Sequence, residues 1–122
     1  DLSPYYAPGS EPPLWMRNLA QVRTIMRHHH DAKKRVWFTE FGWSTHSDRY
    51  GYGVTRKQQA KFLVQMMRIT DKRLPYVERM AWYMSKDEKI GDVHLSNYGL
   101  YTQNMHPKPA ARALRTYLAG IG

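Results

Sequence analysis

The chain alternates between stretches of helical and of extended hydrophobic spacing. Its first helical stretch follows Ser10, Pro12 and Pro13, and Pro is tolerated in the first turn of a helix. Apolar residues then recur at steps of four, three and four, as Trp15, Leu19, Val22 and Met26. That spacing predicts one buried stripe on a helix.

This first helix is predicted to end at three adjacent histidines, His28 to His30. Cationic side chains there suit the negative end of the helix dipole. Consecutive residues of a helix point in different directions, so a regular helix cannot aim all three at one metal ion. We therefore predict no metal site.

Extended spacing appears next. The segment from Arg35 to Phe41 is rich in aromatic and branched residues and predicts a strand.

A capping-box pattern, Thr55 with Gln58, predicts the start of a second helix. Leu74 and Pro75 are predicted to stop it. The residues predicted to face inward are Ala60, Leu63 and Met67, with Phe62 and Met66 as further candidates.

The remaining third of the chain predicts a strand from Tyr76 to Met84, a long loop from Ser85 to His106 and a last helix. The loop contains a short extended piece around Tyr98 to Tyr101. The last helix is introduced by Pro107 and Pro109, carries Ala110, Leu114, Tyr117 and Leu118, and stops at Gly120. The order helix, strand, helix, strand, helix allows parallel crossovers.

Two parallel strands do not make a complete sheet, because parallel sheets have several strands and are covered on both faces. The strand edges would also invite association. We therefore expect an α/β fold in which residues 1–122 form one part of a larger repeating architecture. The N-terminal segment DLSPYYAPGSEPP is interpreted as starting inside a longer chain.

Composition and charge bear on which classes of binding partner the chain could have. The chain has 122 residues, no cysteine and a net charge of +9. The charge raises nucleic acid or an anionic surface as a partner, but many of the cations fall at helical spacing opposite apolar positions, as on solvated helix faces. No nucleic-acid-binding signature and no apolar run of about 20 residues is present. We predict neither a nucleic-acid nor a membrane partner.

Glu40 is the residue that needs explaining, because it lies in the otherwise strand-like segment VWFTEFGW. Burying an unpaired carboxylate costs several kcal/mol, roughly. Strand alternation groups Val36, Phe38 and Glu40 on one face. If that face lines a barrel, Glu40 emerges at the C-terminal end of the strand, where barrel enzymes carry catalytic residues. The alternative is a strand-terminal Glu paired with a nearby Arg.

Met80 and Trp82 share a face of the second strand by the same rule. Trp82 would then lie at the top, where an aromatic ring could form a flat apolar floor for a ligand.

Five short motifs occur in order along the chain and carry a resemblance. They are WFTEFGW, the QA of Gln59 and Ala60, AWYMSKD, NYGLY and the KPA that begins at Lys108. Together they resemble the C-terminal part of clan A retaining glycoside hydrolases, the cellulase and β-glycosidase superfamily of (β/α)8 TIM barrels. The resemblance implies a span from the end of the sixth strand through the eighth helix.

The resemblance also implies site residues. Glu40 matches the catalytic nucleophile that ends the seventh strand, and Trp82 matches the aromatic of the sugar subsite at the end of the eighth. The family often has a His-x-Tyr pattern at the sixth strand; here SPYY stands, with Ser3 in place of His, so Tyr5 or Tyr6 is the candidate for the tyrosine. Trp43 is a further candidate for sugar contact, as is Tyr50 or Tyr52. The alternative is that these residues cover the top of the second helix.

Retaining hydrolysis needs two carboxyl groups about 5–5.5 Å apart. In the resembled family the second one ends the fourth strand, which this chain does not contain. Loop acids could reach the same rim, but each is expected to be solvated instead. These are Asp48, Asp87, Glu88 and Asp92. We therefore expect the chain alone not to hydrolyse glycosides, and nothing in it calls for a cofactor.

The leading hypothesis is an O-glycoside hydrolase that acts on a β-linked oligo- or polysaccharide together with the remainder of the barrel upstream. A carbohydrate-binding or inactive remnant is the alternative, and a basic nucleic-acid-binding module is a weaker one. The sequence does not determine the sugar, the linkage, endo or exo action, the oligomeric state or the compartment; only analogy favours secretion.

Overall fold

A computed structural model of the chain describes residues 12–121, with side chains from Leu19 onward. The elements are α1 (Pro12–His28), β1 (Val36–Phe41), α2 (Arg56–Arg73), β2 (Val77–Trp82), a 3₁₀ helix (Leu95–Asn97) and α3 (Pro109–Ala119). The predicted order of three helices and two strands is confirmed. The 3₁₀ helix lies in the segment that was predicted to be a loop.

The start of α2 forms as its sequence predicts. Thr55 Oγ1 accepts a hydrogen bond from Gln58 N at 3.1 Å, and Thr55 N donates to Gln58 Oε1 at 2.8 Å. These reciprocal bonds satisfy two donors that a helix start leaves open. At the other end, Leu74 N donates to Thr70 O at 3.0 Å, just before Pro75 stops the helix.

The two strands form a parallel sheet, and α2 makes the crossover between them. Partners in the register include Phe38 with Met80 and Phe41 with Trp82. Three positions separate the two phenylalanines whereas two separate their partners, so the register shifts between Phe38 and Phe41. A shift of this kind is the mark of a β-bulge.

The hydrophobic core lies between one face of the sheet and helices α2 and α3. Its buried residues are Phe41, Trp43, Phe62, Leu63, Met66 and Ala110. Phe62 and Met66, which the spacing left as further candidates for inward positions, are both buried. The core therefore follows the apolar stripe of α2 and the C-terminal end of β1.

The bulge overturns one prediction about β1. Strict alternation predicts that Val36, Phe38 and Glu40 share the barrel-interior face. Phe38 instead packs against the core cluster on the helix side, as Phe41 does. Thr39 and Glu40, between them, are both exposed. The extra residue in the bulge lets two aromatic rings three positions apart point the same way.

The opposite face of the sheet is open in the described part of the chain. Trp37 lies on that face with 57% of its surface exposed. Its indole nitrogen donates to Glu78 Oε2 at 2.6 Å, and the Arg79 guanidinium lies 5.3 Å from its ring centroid. The interior-facing residue at this level of β1 is thus Trp37 rather than Phe38.

Two further features concern function classes raised by the sequence. Within residues 12–121 no helix combines the length and the apolar character that a bilayer crossing requires. The three histidines lie at the end of α1 and just beyond it, with His30 at a φ of 62°. No group of three or more side chains suited to holding a metal occurs in the described residues.

Candidate active site

Glu40 lies at the C-terminal end of β1, immediately before the buried Phe41. Its side chain is exposed. Among the described residues no cation pairs with it, so the alternative of a strand-terminal Glu locked to an Arg finds no support there. An exposed carboxylate keeps its hydration and does not incur the cost of burial.

The backbone directly after Glu40 is held against β2. Tyr83 N donates to Phe41 O at 2.8 Å. Gly42 follows, and a Cβ at that position would collide with Tyr83 O and crowd the Tyr98 ring. Glycine is required here because two chain segments approach closely. The exit of β1, and with it Glu40, is therefore fixed by packing from the next strand.

Trp82 is placed differently from the expectation. Its ring packs edge-on against Phe41, with centroids 5.3 Å apart, and lies 6.0 Å from that of Trp43. Its indole nitrogen donates to Tyr98 O at 3.0 Å. Trp82 thus packs with Phe41 and Trp43 against the hydrophobic core. A sugar contact by Trp82 stays a prediction without support from this position.

Trp43 belongs to the core. Only 7% of its surface is exposed, and its ring centroid lies 5.5 Å from that of Phe62 on α2. This side chain offers a ligand almost no surface, so the structure supports the alternative in which it covers the top of α2. Tyr5 and Tyr6, with Ser3, lie outside the described residues.

A buried ion pair between Lys108 and Asp87 joins the start of α3 to the loop after β2. The ammonium of Lys108 is 3.0 Å from Asp87 Oδ1 and also donates to Thr45 Oγ1 at 3.1 Å and Asn97 O at 3.2 Å. Gly99 N donates to Asp87 Oδ1 at 2.8 Å. Asp87 is 6% exposed and Lys108 is 1% exposed, so the expectation of a solvated Asp87 is wrong.

Burial lowers the pKa of Lys108, because it disfavours the charged form. The hydrogen bond and the charge of Asp87 oppose that effect by raising the pKa, and Arg56 lowers it further. The ion pair thus recovers part of the cost of taking the ammonium out of water.

Gln59 links the same region to α2. Its side chain is completely buried, and Nε2 donates to Trp43 O at 2.8 Å. We call Gln59, Asp87, Lys108 and the segment 97–99 the buried polar network. It joins the loop after β1, the loop after β2, helix α2 and the start of α3.

His94 contacts this network through Tyr98. Its Nδ1 lies 2.6 Å from His46 O, and since a carbonyl only accepts, this nitrogen carries the proton. Its Nε2 lies 3.0 Å from the Tyr98 hydroxyl. One ring nitrogen therefore joins the loop after β2 to the loop after β1, and the other bonds within its own loop.

The other loop acids also have local partners. Asp48 Oδ1 accepts from Tyr50 N and Tyr52 N, each at 2.8 Å. Asp92 Oδ1 accepts from Leu95 N at 3.0 Å, and Glu88 lies 3.7 Å from the Lys86 ammonium.

Several residues of the five motifs have structural roles that the sequence did not predict. The sequence predicts no role for Gln59 and Lys108 beyond the resemblance and predicts a solvated Asp87, whereas in the structure all three are buried and hydrogen-bonded to other segments. Only Gln59 carries a signal in the sequence: it lies three and four positions before Phe62 and Leu63, so it shares the helix face that is predicted to be buried. Such a polar residue needs a partner.

Comparisons with known proteins agree with this arrangement. The family model described as glycosyl hydrolase catalytic core matches residues 15–113. The chain belongs to that glycosyl hydrolase family. No curated protein sequence matches the chain significantly.

Solved structures show the same fold at low identity. A β-glucuronidase of Faecalibacterium prausnitzii is 22% identical with a TM-score of 0.70, over 97% of this chain and 20% of that one. A β-glucuronidase of Bifidobacterium dentium, solved with coumarin-3-O-glucuronide, is 23% identical with a TM-score of 0.68. The match covers 95% of this chain and 19% of that one. A family 39 glycoside hydrolase of Bacteroides cellulosilyticus is 25% identical with a TM-score of 0.53. The match covers 70% of this chain and 16% of that one.

The chain thus spans about a fifth of the length of the glucuronidases it matches. Its parallel strands, crossover helix and helix-covered face are the C-terminal part of a (β/α)8 barrel. The predicted boundaries within that barrel, from the end of the sixth strand through the eighth helix, stay a prediction.

Proposed function

We propose that this chain supplies the nucleophile of a retaining O-glycoside hydrolase that cleaves β-linked oligo- or polysaccharides. One observation carries the proposal: Glu40 is an exposed carboxylate at the C-terminal end of a parallel strand in a glycosyl hydrolase fold. Catalytic groups of (β/α)8 barrels lie at that end of the strands.

In the proposed reaction a carboxylate oxygen of Glu40 attacks the anomeric carbon while the bond to the glycosidic oxygen breaks. A general acid protonates that leaving oxygen. The same group then takes a proton from water as the water attacks the anomeric carbon and releases Glu40. The two displacements leave the anomeric configuration unchanged.

The general acid is expected from outside residues 19–121. The four loop acids that could reach the rim have other partners: Asp87 is buried against Lys108, and Asp48, Glu88 and Asp92 bond locally. This supports the expectation that the chain alone does not hydrolyse glycosides.

The first test is hydrolysis by the protein expressed at its natural full length. Aryl β-glycosides of glucose, galactose, mannose, xylose and glucuronic acid are the substrates; the glucuronide is included because two similar structures are β-glucuronidases. Glu40→Gln is expected to lose activity by on the order of 10³-fold or more, the scale on which enzymes lose rate with their nucleophile. Glu78→Gln, another strand glutamate, is the matched control.

The second test is trapping of the covalent intermediate. A 2-deoxy-2-fluoro aryl glycoside of the hydrolysed sugar should leave its glycosyl group on the peptide that contains Glu40, as read by mass spectrometry. Labelling of another carboxylate would refute the assignment. Binding of sugar with no turnover in either the parent or the variant would favour the alternative, a non-catalytic carbohydrate-binding protein.

A further inference from the structure

The loop between β1 and α2 carries an exposed pair of tyrosines. Tyr50 has 62% of its surface exposed, and its ring centroid lies 5.8 Å from that of Tyr52. The Arg49 guanidinium lies 4.6 Å from the Tyr50 centroid. These three residues form what we call the aromatic platform.

The backbone under the platform is held in one shape. Asp48 Oδ1 accepts hydrogen bonds from Tyr50 N and Tyr52 N, and Gly51 N donates to Asp48 O at 3.1 Å. Gly51 has a φ of 80°, which favours glycine. Gly53 packs so closely on Ser47 that a Cβ would not fit. Ordering this loop around a ligand therefore costs little additional entropy.

The loop is anchored on the same side of the sheet as the end of β1. Val54 N donates to Ser44 O at 2.9 Å, and Thr45 N donates to Asn97 O at 3.0 Å. These bonds tie both bases of the loop to the rim formed by the segments that follow β1 and β2. Glu40 lies at that rim, so the platform and the carboxylate are on one end of the fold.

The aromatic residues of this loop divide into two kinds. Trp43 is buried and packs on Phe62, as folding requires. Tyr50 contributes no comparable burial, although its position is fixed. An exposed ring that is rigid and not needed for the core is the side chain expected at a binding surface, because Tyr supplies contact area at low entropic cost.

We propose that the aromatic platform is a sugar subsite, in which a pyranose ring of a β-linked glycan stacks on Tyr50 and its hydroxyl groups accept hydrogen bonds from Arg49. Guanidinium offers five donors in a fixed plane. The inference rests on the proposed function and deepens it: the subsite holds a residue beyond the one at Glu40, which makes an extended glycan the preferred substrate.

The experiment measures binding and hydrolysis separately in the full-length protein. Binding is measured by titration calorimetry in a Glu40→Gln background, with β-1,4-linked hexasaccharides of glucose, xylose and mannose and a β-1,3-linked hexasaccharide of glucose. Tyr50→Ala is expected to weaken binding of the best hexasaccharide about tenfold, the scale of one aromatic contact. Tyr50→Phe keeps the ring and should bind like the parent, as should the control Tyr117→Ala on α3.

Hydrolysis separates this inference from the proposed function. With Glu40 present, Tyr50→Ala should lower kcat/KM for the best hexasaccharide more than for an aryl monoglycoside, since the smaller substrate does not reach the platform. Equal hexasaccharide binding by Tyr50→Ala and its parent, or no hexasaccharide binding by the parent, would overturn the subsite while leaving the nucleophile intact. Hydrolysis that survives Glu40→Gln would instead overturn the proposed function.

Discussion

Two carboxylates of this chain illustrate opposite uses of the same chemical group. Glu40 is exposed at the end of a strand and has no charged partner among the described residues. Asp87 is buried in the loop after the other strand and accepts hydrogen bonds from Lys108 and Gly99. The first is available to a ligand, and the second is committed to the fold.

The difference shows how a barrel rim keeps a reactive group in place. The carboxylate that is proposed to react stays hydrated, and the surrounding loops are fixed by buried polar groups. Gln59, Asp87, Lys108 and the segment 97–99 all lie in the motifs that resemble glycoside hydrolases, and they form this support. Precise placement of a functional side chain depends on such a rigid surrounding.

The largest effect on stability is expected from Lys108→Met, which removes one partner of the buried ion pair. The variant leaves the Asp87 carboxylate buried without its partner, so we expect a loss of about 3–5 kcal/mol in the free energy of unfolding. Urea denaturation of the full-length protein measures it. Lys89→Met, at an exposed position in the same region, should change little.

The double variant Lys108→Met with Asp87→Leu refines this prediction. Removing both charges should restore much of the lost stability, because replacing a buried ion pair by apolar groups is often neutral. If the double variant were no more stable than Lys108→Met, the cost would not come from the stranded carboxylate.

A smaller effect is expected for Gln59→Met. The apolar side chain leaves Trp43 O without its 2.8 Å hydrogen bond, which costs about 1–3 kcal/mol for a buried acceptor. Gln59 Oε1 has no hydrogen-bond partner in the described part of the chain, so its removal offsets some of that loss. We expect the lower end of the range. Gln103→Met, in the exposed loop before α3, is the control for denaturation.

The pH dependence of the free energy of unfolding should reflect the lowered pKa of Lys108. Its pKa in the folded protein is below the usual 10.5. Between the lowered pKa of the folded protein and the usual pKa of the unfolded chain, the unfolded chain binds more protons than the folded protein. Lys108 therefore makes the free energy of unfolding rise with pH in this range. Compared with Lys108→Arg, whose charge persists, the parent should gain unfolding free energy as the pH rises toward about 10.5. A parallel course of the two curves would contradict the prediction.

Glu40→Gln should have the smallest effect on stability. An exposed side chain without a charged partner typically changes the unfolding free energy by no more than about 0.5 kcal/mol when substituted. The variant should therefore melt with the parent while losing hydrolysis. A large change in melting temperature would mean that Glu40 serves the fold.

Local signals in the sequence predicted the elements well. The Thr55 and Gln58 capping box, the stop at Pro75 and the apolar spacing of α2 all lie within one helix. Interactions between residues three or four apart decide such features, so a single stretch of chain carries the necessary information.

The site was predicted less completely, because it depends on residues far apart in the chain. Lys108 and Asp87 are 21 residues apart, and Gln59 lies 39 residues from Tyr98, whose carbonyl is 3.4 Å from its Nε2. Considered alone, an acid in a polar loop is usually solvated, which made Asp87 look ordinary.

By itself the sequence determined the order of helices and strands, the parallel βα repeat and the position of Glu40 at a strand end. Only the tertiary structure decided which way the strand residues face, because a bulge between Phe38 and Phe41 breaks the alternation. It also decided that Trp43 and Asp87 are buried and that Tyr50 is exposed. Periodicity is a property of neighbouring residues, whereas burial is set by which distant segments pack together.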